Sequence, residues 1–296
     1  MLITIVVVTY NSSRYVLQTL ESAYRQTYGD IELIVSDDCS QDNTFEICQE
    51  WIDAHKDRFV SAKVCQTRKN GGICHNYNHA LSLSSGEYIK YIAGDDILED
   101  NCIECFVNHI RPDIFLYTCS LAHLYDGTGE KEYYKTRVPD ASAIKQARFM
   151  LRYLYGINGP TIFVNRKILK ELGGFDEQFS FVEDLPISLK FSTKGHRIGI
   201  LDDVLVQWRI YGDSISHSNH AFAISLREAV YYYTRKNCLR FGLPLHLYHH
   251  WLNHWLIERN EKGESKWLGY ILRMLDFVNT KRKFFPIHQT PYQKVK

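Results

Sequence analysis

Four short β-rich runs separated by three segments of helical period limit most strongly what this chain can fold into. "ITIVVVT" (Ile3 to Thr9) is a continuous apolar run, as expected of a strand covered on both faces. After the turn "YNSSRY", Leu17, Leu20, Ala23 and Tyr24 recur at helical spacing, with Ser12 or Ser13 available as N-cap. "IELIVSDD" reads as a second strand, and "SQDNTFEICQEWIDAH" as a second helix capped by Asp42 or Asn43. "FVSAKVCQ" is a third strand, a helix runs from Gly72 to about Leu83, and "EYIKYIA" is a fourth strand. This β-α-β-α-β-α-β order predicts an α/β fold with a doubly wound, mostly parallel sheet.

Ligands of such sheets bind at the C-terminal ends of the strands, beside the switch in strand order. The most chemical residues of the chain fall there: Thr9, Tyr10 and Asn11, then Asp37 and Asp38, then Asp95 and Asp96. Acidic clusters recur in "SDDCSQDNT", "AGDDILED" and "FVEDLP". Lone surface acids are ordinarily just solvated, but each cluster here follows an apolar run. Crowded carboxylates raise one another's pKa unless a cation or hydrogen-bond donors neutralise them. Mg²⁺ or Mn²⁺, bridging carboxylate oxygens to substrate phosphates, would relieve that crowding.

Composition narrows the classes further. The 296 residues suffice for one large α/β domain or two small ones, and 45% hydrophobic content is ordinary for a soluble protein. A net charge of +1 conceals asymmetry: from residue 231 onward 12 Lys and Arg face 4 acids, so this tail carries +8 and the rest −7. An acidic body and the lack of a recognition motif argue against a nucleic-acid partner. No apolar run reaches the roughly 18 residues of a membrane span, and "MLITIVVVTYN" reads as strand rather than signal peptide. The eight cysteines, scattered through expected core segments, are expected as reduced thiols in the cytoplasm. Cys102 and Cys105 form one C-x-x-C, read as neighbours on one helix face rather than a metal site. Neither G-x-G-x-x-G nor G-x-x-x-x-G-K-[ST] occurs. "DDILE" suits prenyl-diphosphate chemistry only within a helical bundle, whereas here it ends a strand.

Four landmarks in order carry a family resemblance. "TYNSSRYVLQTLESAYRQTYGDIELIVSDDCSQDNT" resembles the opening of the inverting GT-A glycosyltransferases of family 2. "NGGICHNYNHALSLSSGEYIKYIAGDDIL" is similar to that family's next segment, with Asn70, Gly71, Asn78, Ala80, Gly86 and the acidic pair in order. "LGGFDEQFSFVEDLPISLKF" and "VQWRIYGDSIS" match its third and fourth landmarks, so the resemblance covers about Leu2 to Ser218.

The resemblance implies a GT-A fold, a UDP-sugar donor and Mn²⁺ or Mg²⁺ as cofactor. By the same resemblance Thr9, Tyr10 and Asn11 line the base, where an aromatic ring can stack on a pyrimidine. Asp38 would accept from the uracil N3–H. Asp95 becomes a ribose or diphosphate neighbour and also a metal ligand, with Asp96 the principal ligand. Arg68 or Lys69 would add positive charge near the phosphates, and Asn70 and Gly71 would offer a helix N-terminus to an anion. Asp184 is expected as general base, with Glu183 the next candidate. Both acids also suit the first turn of a helix on dipole grounds alone. Arg209 is a candidate diphosphate contact.

Two positions depart from the pattern. Many relatives have Asp where this chain has Ala93, and often His where it has Tyr211, so a third protein ligand is lacking unless His217 supplies one. The processive members' Q-x-x-R-W is absent, implying one sugar transferred per binding event. The expected divisions are 1–110 for the nucleotide-sugar half, 111–219 for the acceptor and base half, and 220–296 for a helical basic extension. Its helices are expected near 220–240, 245–259 and 265–279. "HLYHHWLNHW" brings His246, His249 or His250, and His254 close to helical spacing, read as an amphipathic interfacial helix or one packed on the body. "TKRKFF" suits anionic headgroups. The implied acceptor is a lipid-linked carbohydrate of bacterial surface polysaccharide synthesis, met by a cytoplasmic protein peripheral on the inner membrane through 231–296. The alternative is a catalytically weak nucleotide-sugar-binding scaffold with a decayed metal site.

Overall fold

The computed structural model describes residues 1–154, 156–212, 220–244, 255 and 292–294. The four expected strands are β1 (Ile3–Thr9), β2 (Ile31–Asp37), β3 (Ser61–Gln66) and β4 (Tyr88–Ala93). The helices between them are α1 (Val16–Tyr24), α2 (Thr44–His55) and α3 (Ile73–Leu83). All neighbours in the order β3-β2-β1-β4 are parallel. The chain therefore winds outward from β1 through β2 to β3, then returns to β4 on the other side of β1. That reversal opens the crevice between the C-terminal ends of β1 and β4.

β1 is buried along its whole length because its two faces feed two cores. Ile3, Ile5 and Val7 pack with Leu20, Trp51 and Phe106, while Val6 and Val8 pack with Tyr77, Ala80 and Tyr91. Period-2 alternation with both faces covered makes an unbroken apolar run. β3, at the edge, shows alternating exposure instead and begins at Ser61, leaving Phe59 and Val60 outside the expected strand. Neither expected serine side chain caps α1; the Ser12 carbonyl accepts from the amides of Tyr15 and Val16. At α2, Asn43 holds the N-cap position without a side-chain bond, and Asp42 Oδ1 accepts from the Thr44 amide.

Beyond β4 the sheet becomes mixed. The elements are β5 (Ile97–Leu98), α4 (Cys102–Asn108), β6 (Ile114–Tyr125), β7 (Lys131–Thr136), α5 (Ala143–Tyr153), β8 (Phe163–Asn165), α6 (Arg166–Glu171), α7 (Asp184–Thr193), β9 (Arg197–Ile210), α8 (His220–Asn237) and β10 (Tyr292–Lys294). β8 lies antiparallel between β4 and β6, β5 pairs antiparallel with β9, and β9 runs parallel to β6. Arg197–Ile210 is one long strand, β9. Its exposed Asp202 and Asp203 fall where the register shifts, from Cys119 opposite Leu201 to Ser120 opposite Val204. α7 opens at Asp184, as the helix-start reading of the acid pair implies.

The first helix of the expected extension belongs to the body. Ala229, Tyr233, Cys238 and Leu243 join the core that holds Tyr77, Phe179 and Leu185. The Tyr233 hydroxyl donates to Asp176, which also pairs with Lys190 at 2.5 Å. The helices expected near 245–259 and 265–279, His217 and the histidine cluster lie outside the described residues, as does "TKRKFF". Among the described residues no helix is long and apolar enough to cross a membrane, and all eight cysteines are free thiols.

Candidate active site

The crevice between β1 and β4 is built from loops that stitch one another together. Asn11 and Cys39, just past the ends of β1 and β2, both take left-handed backbone, at φ of 51° and 61°. Such strain in non-glycine residues concentrates where surrounding contacts over-determine it. Here the Asn11 amide donates to Ser40 Oγ at 2.8 Å, and Asn11 Oδ1 accepts from the Gln41 amide. Asp37 organises this layer, accepting from Thr9 Oγ1, Ser40 and Gln66. Thr9 is therefore buried and turned to Asp37, whereas the Tyr10 ring is 39% exposed and open to stacking.

Asp38, expected at the base, is 3% exposed. Its carboxylate accepts from Thr67 Oγ1 at 2.8 Å and from the amides of Gly71 and Gly72 at 3.0 and 2.8 Å. These bonds turn the 67–72 loop over the strand end and leave Arg68, Lys69 and Asn70 exposed on it. Gly72, at φ +85°, leads into α3, and a Cβ there would stand 2.7 Å from the Ser180 carbonyl. That close approach, with the Ile73 amide donating to the same carbonyl, docks the 175–182 segment against the nucleotide half. The docked segment ends at Glu183 and Asp184.

The pair that ends β4 divides its tasks. Asp96 is 1% exposed; its Oδ1 accepts from the Arg209 amide at 2.9 Å, and its carbonyl accepts from Thr19 Oγ1. Asp95 is only partly buried, and Oδ2 accepts from the Tyr211 hydroxyl at 2.8 Å. Thus Asp96, the expected principal metal ligand, is tied to β9, and the accessible carboxylate of the pair is Asp95. The short β5–β9 pairing imposes this division by laying Arg209 over the turn. Burial pushes both carboxyls upward; in Asp96 the neighbouring Asp95 charge adds to the effect, while the Tyr211 bond offsets it in Asp95.

Arg209 is 5% exposed and its donors already face protein acceptors. Nε donates to the Asp95 carbonyl at 2.8 Å, one terminal nitrogen to Gln18 at 2.7 Å, and the other lies 3.7 Å from Asp126. The guanidinium also stacks on Tyr15, 4.4 Å from the ring centroid, and Tyr15 itself bonds Asp126. It is a tie between loops here rather than an open diphosphate ligand. Sequence reasoning missed Tyr15 and Asp126 in this tie, since they lie 111 positions apart and no local pattern joins them.

Glu183 and Asp184 open α7, and both retain some solvent contact. Asp184 Oδ1 accepts from the Leu185 amide. Burial pushes the Asp184 carboxyl up to about 6, and burial together with the Asp184 charge pushes Glu183 higher still. The Tyr77 phenol, wholly buried and stacked on Tyr91, feels the negative charge of both Glu183 and Asp96. One acid from each pair thus acts on the same buried phenol.

The residues fit a divalent cation that draws most of its ligands from a diphosphate and water. Asp95 supplies one accessible hard oxygen donor, and a cation would offset the crowding of the buried pair. Among the described residues no group of three or more His, Cys, Asp and Glu side chains gathers as a metal cage.

Crevice, parallel half-sheet and paired acids define an α/β protein with a ligand site at the switch in strand order. The chain belongs to glycosyl transferase family 2, whose family model matches residues 4–173. It is 36% identical to glycosyltransferase GlyG of Streptococcus pneumoniae over 37% of this chain and 35% of GlyG. It spans 16% of the Escherichia coli chondroitin synthase, to which it is 37% identical over 39% of this chain. Among solved structures, Staphylococcus aureus TarS 1–349 in complex with UDP-GlcNAc superposes with a TM-score of 0.62 at 20% identity, over 86% of this chain and 79% of that one. The mannosyltransferase PcManGT of Pyrobaculum calidifontis, in complex with GDP-Man and Mn²⁺, gives 0.57 at 17% identity, over 95% and 81%. The fold is accordingly GT-A.

Proposed function

We propose that this protein is an inverting glycosyltransferase that moves one sugar from a UDP-sugar to a hydroxyl of a carbohydrate acceptor. The observation that carries the reading is the docking of the segment leading into Glu183 and Asp184 on Gly72 and Ile73 of the nucleotide half, the half that also bears Asp95 and Asp96. On this reading the β4 pair serves the leaving diphosphate and the α7 pair the acceptor. Asp184 takes the proton of the acceptor hydroxyl as that oxygen bonds to C1 of the sugar, and the C1–O bond breaks with its electron pair leaving on UDP. Tyr10 stacks on the base, while Asp38 holds the 67–72 loop and presents its remaining lone pairs to the uracil N3–H. Thr9 and Asn11 shape this pocket, and Arg68, Asn70 and Gly71 line its phosphate side. Asp95 would hold Mn²⁺ or Mg²⁺ together with the donor, and Asp96 and Arg209 hold Asp95 in place. Bound there, the cation would neutralise charge developing on the departing diphosphate. The UDP-GlcNAc bound by TarS supports a UDP-sugar donor.

Calorimetry with UDP and GDP, each with and without Mn²⁺, followed by UDP release from a panel of UDP-sugars, tests the reading. UDP binding strengthened by Mn²⁺ and release with at least one donor are expected. Metal-indifferent binding without turnover on any donor and acceptor would instead mark a nucleotide-sugar-binding scaffold. The phenol that occupies Asp95 is the observation favouring that alternative.

The acceptor, by this reading, is a lipid-linked saccharide of surface polysaccharide synthesis, met at the cytoplasmic face of a membrane through the basic stretch 231–296. At the end of α8, Tyr232 and Leu239 are 39% and 66% exposed beside the exposed Arg235, Lys236 and Arg240. Apolar and cationic side chains together suit an anionic bilayer surface. Leu239→Asp combined with Arg240→Ser is expected to weaken co-sedimentation with anionic vesicles about fivefold or more, at roughly 1 kcal/mol per surface cation. UDP affinity should hold; unchanged co-sedimentation would refute the contact.

A further inference from the structure

Lys90 is the one lysine among the fully buried large side chains of the described residues, at 0% exposure in the middle of β4. A buried ammonium gives up its hydration, a cost that an apolar side chain at a core position does not carry. Its place therefore calls for a role beyond stability.

Antiparallel pairing of β4 with β8 runs from Tyr88 opposite Asn165 to Lys90 opposite Phe163, and one bond follows it, from the Tyr91 amide to the Ile162 carbonyl. Beyond that bond the 159–161 turn leads away from β4. The Lys90 ammonium reaches across, donating to the carbonyl of Tyr91 at 2.7 Å and to that of Pro160 at 2.5 Å. It supplies the Pro160 carbonyl with a donor past the last backbone bond.

The 156–161 segment thus held is the seat of α7's first turn. A Cβ on Gly159 would collide with Oε1 of Glu183, and one on Gly156 would stand 2.9 Å from the Leu185 Cα. The Ile157 amide donates to Ser188 Oγ at 3.1 Å, and that hydroxyl donates to the Asp184 carbonyl at 2.6 Å. Three contacts thus fix how Glu183 and Asp184 enter the site, and Lys90 fixes the segment that makes them to the strand bearing Asp95 and Asp96.

We propose that Lys90 is a positioning residue for sugar transfer, setting the distance between the donor-side strand and the seat of Asp184. This rests on the reading of Asp184 as general base. Displacing a catalytic group by about 1 Å costs about 10²-fold in rate. Binding of the nucleotide at the β1–β4 crevice does not use the 156–161 seat and should persist.

The test is Lys90→Met in the full chain, measured as kcat, donor KM, UDP affinity and Tm, with Asp184→Asn in parallel. Expected for Lys90→Met are a 10- to 100-fold lower kcat, UDP affinity and donor KM within twofold, and a Tm lowered by the unpaired Pro160 carbonyl. A kcat within twofold of wild type overturns the proposal, as does a loss of kcat matched by loss of UDP affinity. Should Lys90→Met fail to fold, Gly159→Ala presses on the same seat from the other side and must give the same split; wild-type kcat there overturns the proposal. An inactive Asp184→Asn beside a fully active Lys90→Met sinks the positioning role alone. A fully active Asp184→Asn sinks the base reading and this proposal with it.

Discussion

Asp184→Asn is expected to lower sugar transfer by about 10²- to 10⁴-fold, the usual contribution of a positioned general base, while UDP affinity stays within about twofold. The substitution is close to isosteric, and the amide oxygen can still accept from the Leu185 amide, so the start of α7 should survive. What disappears is the only group at this position able to take a proton. Glu183 is a poor substitute, because it lies against Gly159. The same assignment fixes a pH profile. Asp184 acts as a base only when ionised, and burial has raised its pKa to about 6, so activity should be full well above that value and fall as pH drops through it. An acid limb lying near pH 4 would mean that Asp184 is as solvated as an ordinary carboxylate. Retained transfer in Asp184→Asn would move the base to Glu183.

The second large effect separates the two acids at the end of β4. Asp95→Asn should remove the Mn²⁺-dependent part of UDP binding, raising the Kd measured with metal by at least about 10- to 100-fold. Loss of even an outer-shell partner commonly weakens a metal site that much. Asp96→Asn should act differently, because its amide oxygen can still accept from the Arg209 amide and its carboxylate was never open to the crevice. It should retain most metal-dependent UDP binding. Asp96→Ala, which leaves that amide without its acceptor, should lose about 1–3 kcal/mol of stability. If Asp96→Asn loses metal dependence while Asp95→Asn keeps it, then Asp96 is the principal ligand, as the resemblance implied. Calorimetry on both variants at matched Mn²⁺ decides between them without any turnover assay.

Much of this was legible in the residues alone, because the relevant signals are local. The covered run Ile3–Thr9, the helical periods behind it and the acids at the ends of β2 and β4 set the half-sheet and the place of its crevice. "FVEDLP" likewise marked the start of α7 to the residue. What escaped was decided by partners distant in sequence. Adjacent acids at a turn point in different directions, and which one is buried depends on the strand laid over them; here β9 brings the Arg209 amide to Asp96 across 113 positions. Arg209 itself reads as an open cation until Tyr15, Gln18 and Asp126 converge on it. Lys90 sits within "EYIKYIA", read only as a strand, and tertiary packing alone brings the Pro160 carbonyl to its buried ammonium. α8 reads as the start of a basic tail until Tyr233 meets Asp176. Strands, covered faces and the acids at strand ends follow from period and turn chemistry, which are properties of neighbouring residues. Which carboxylate faces the crevice, which cations are already paired and what supports the start of α7 follow from burial and pairing, which are properties of the elements that meet.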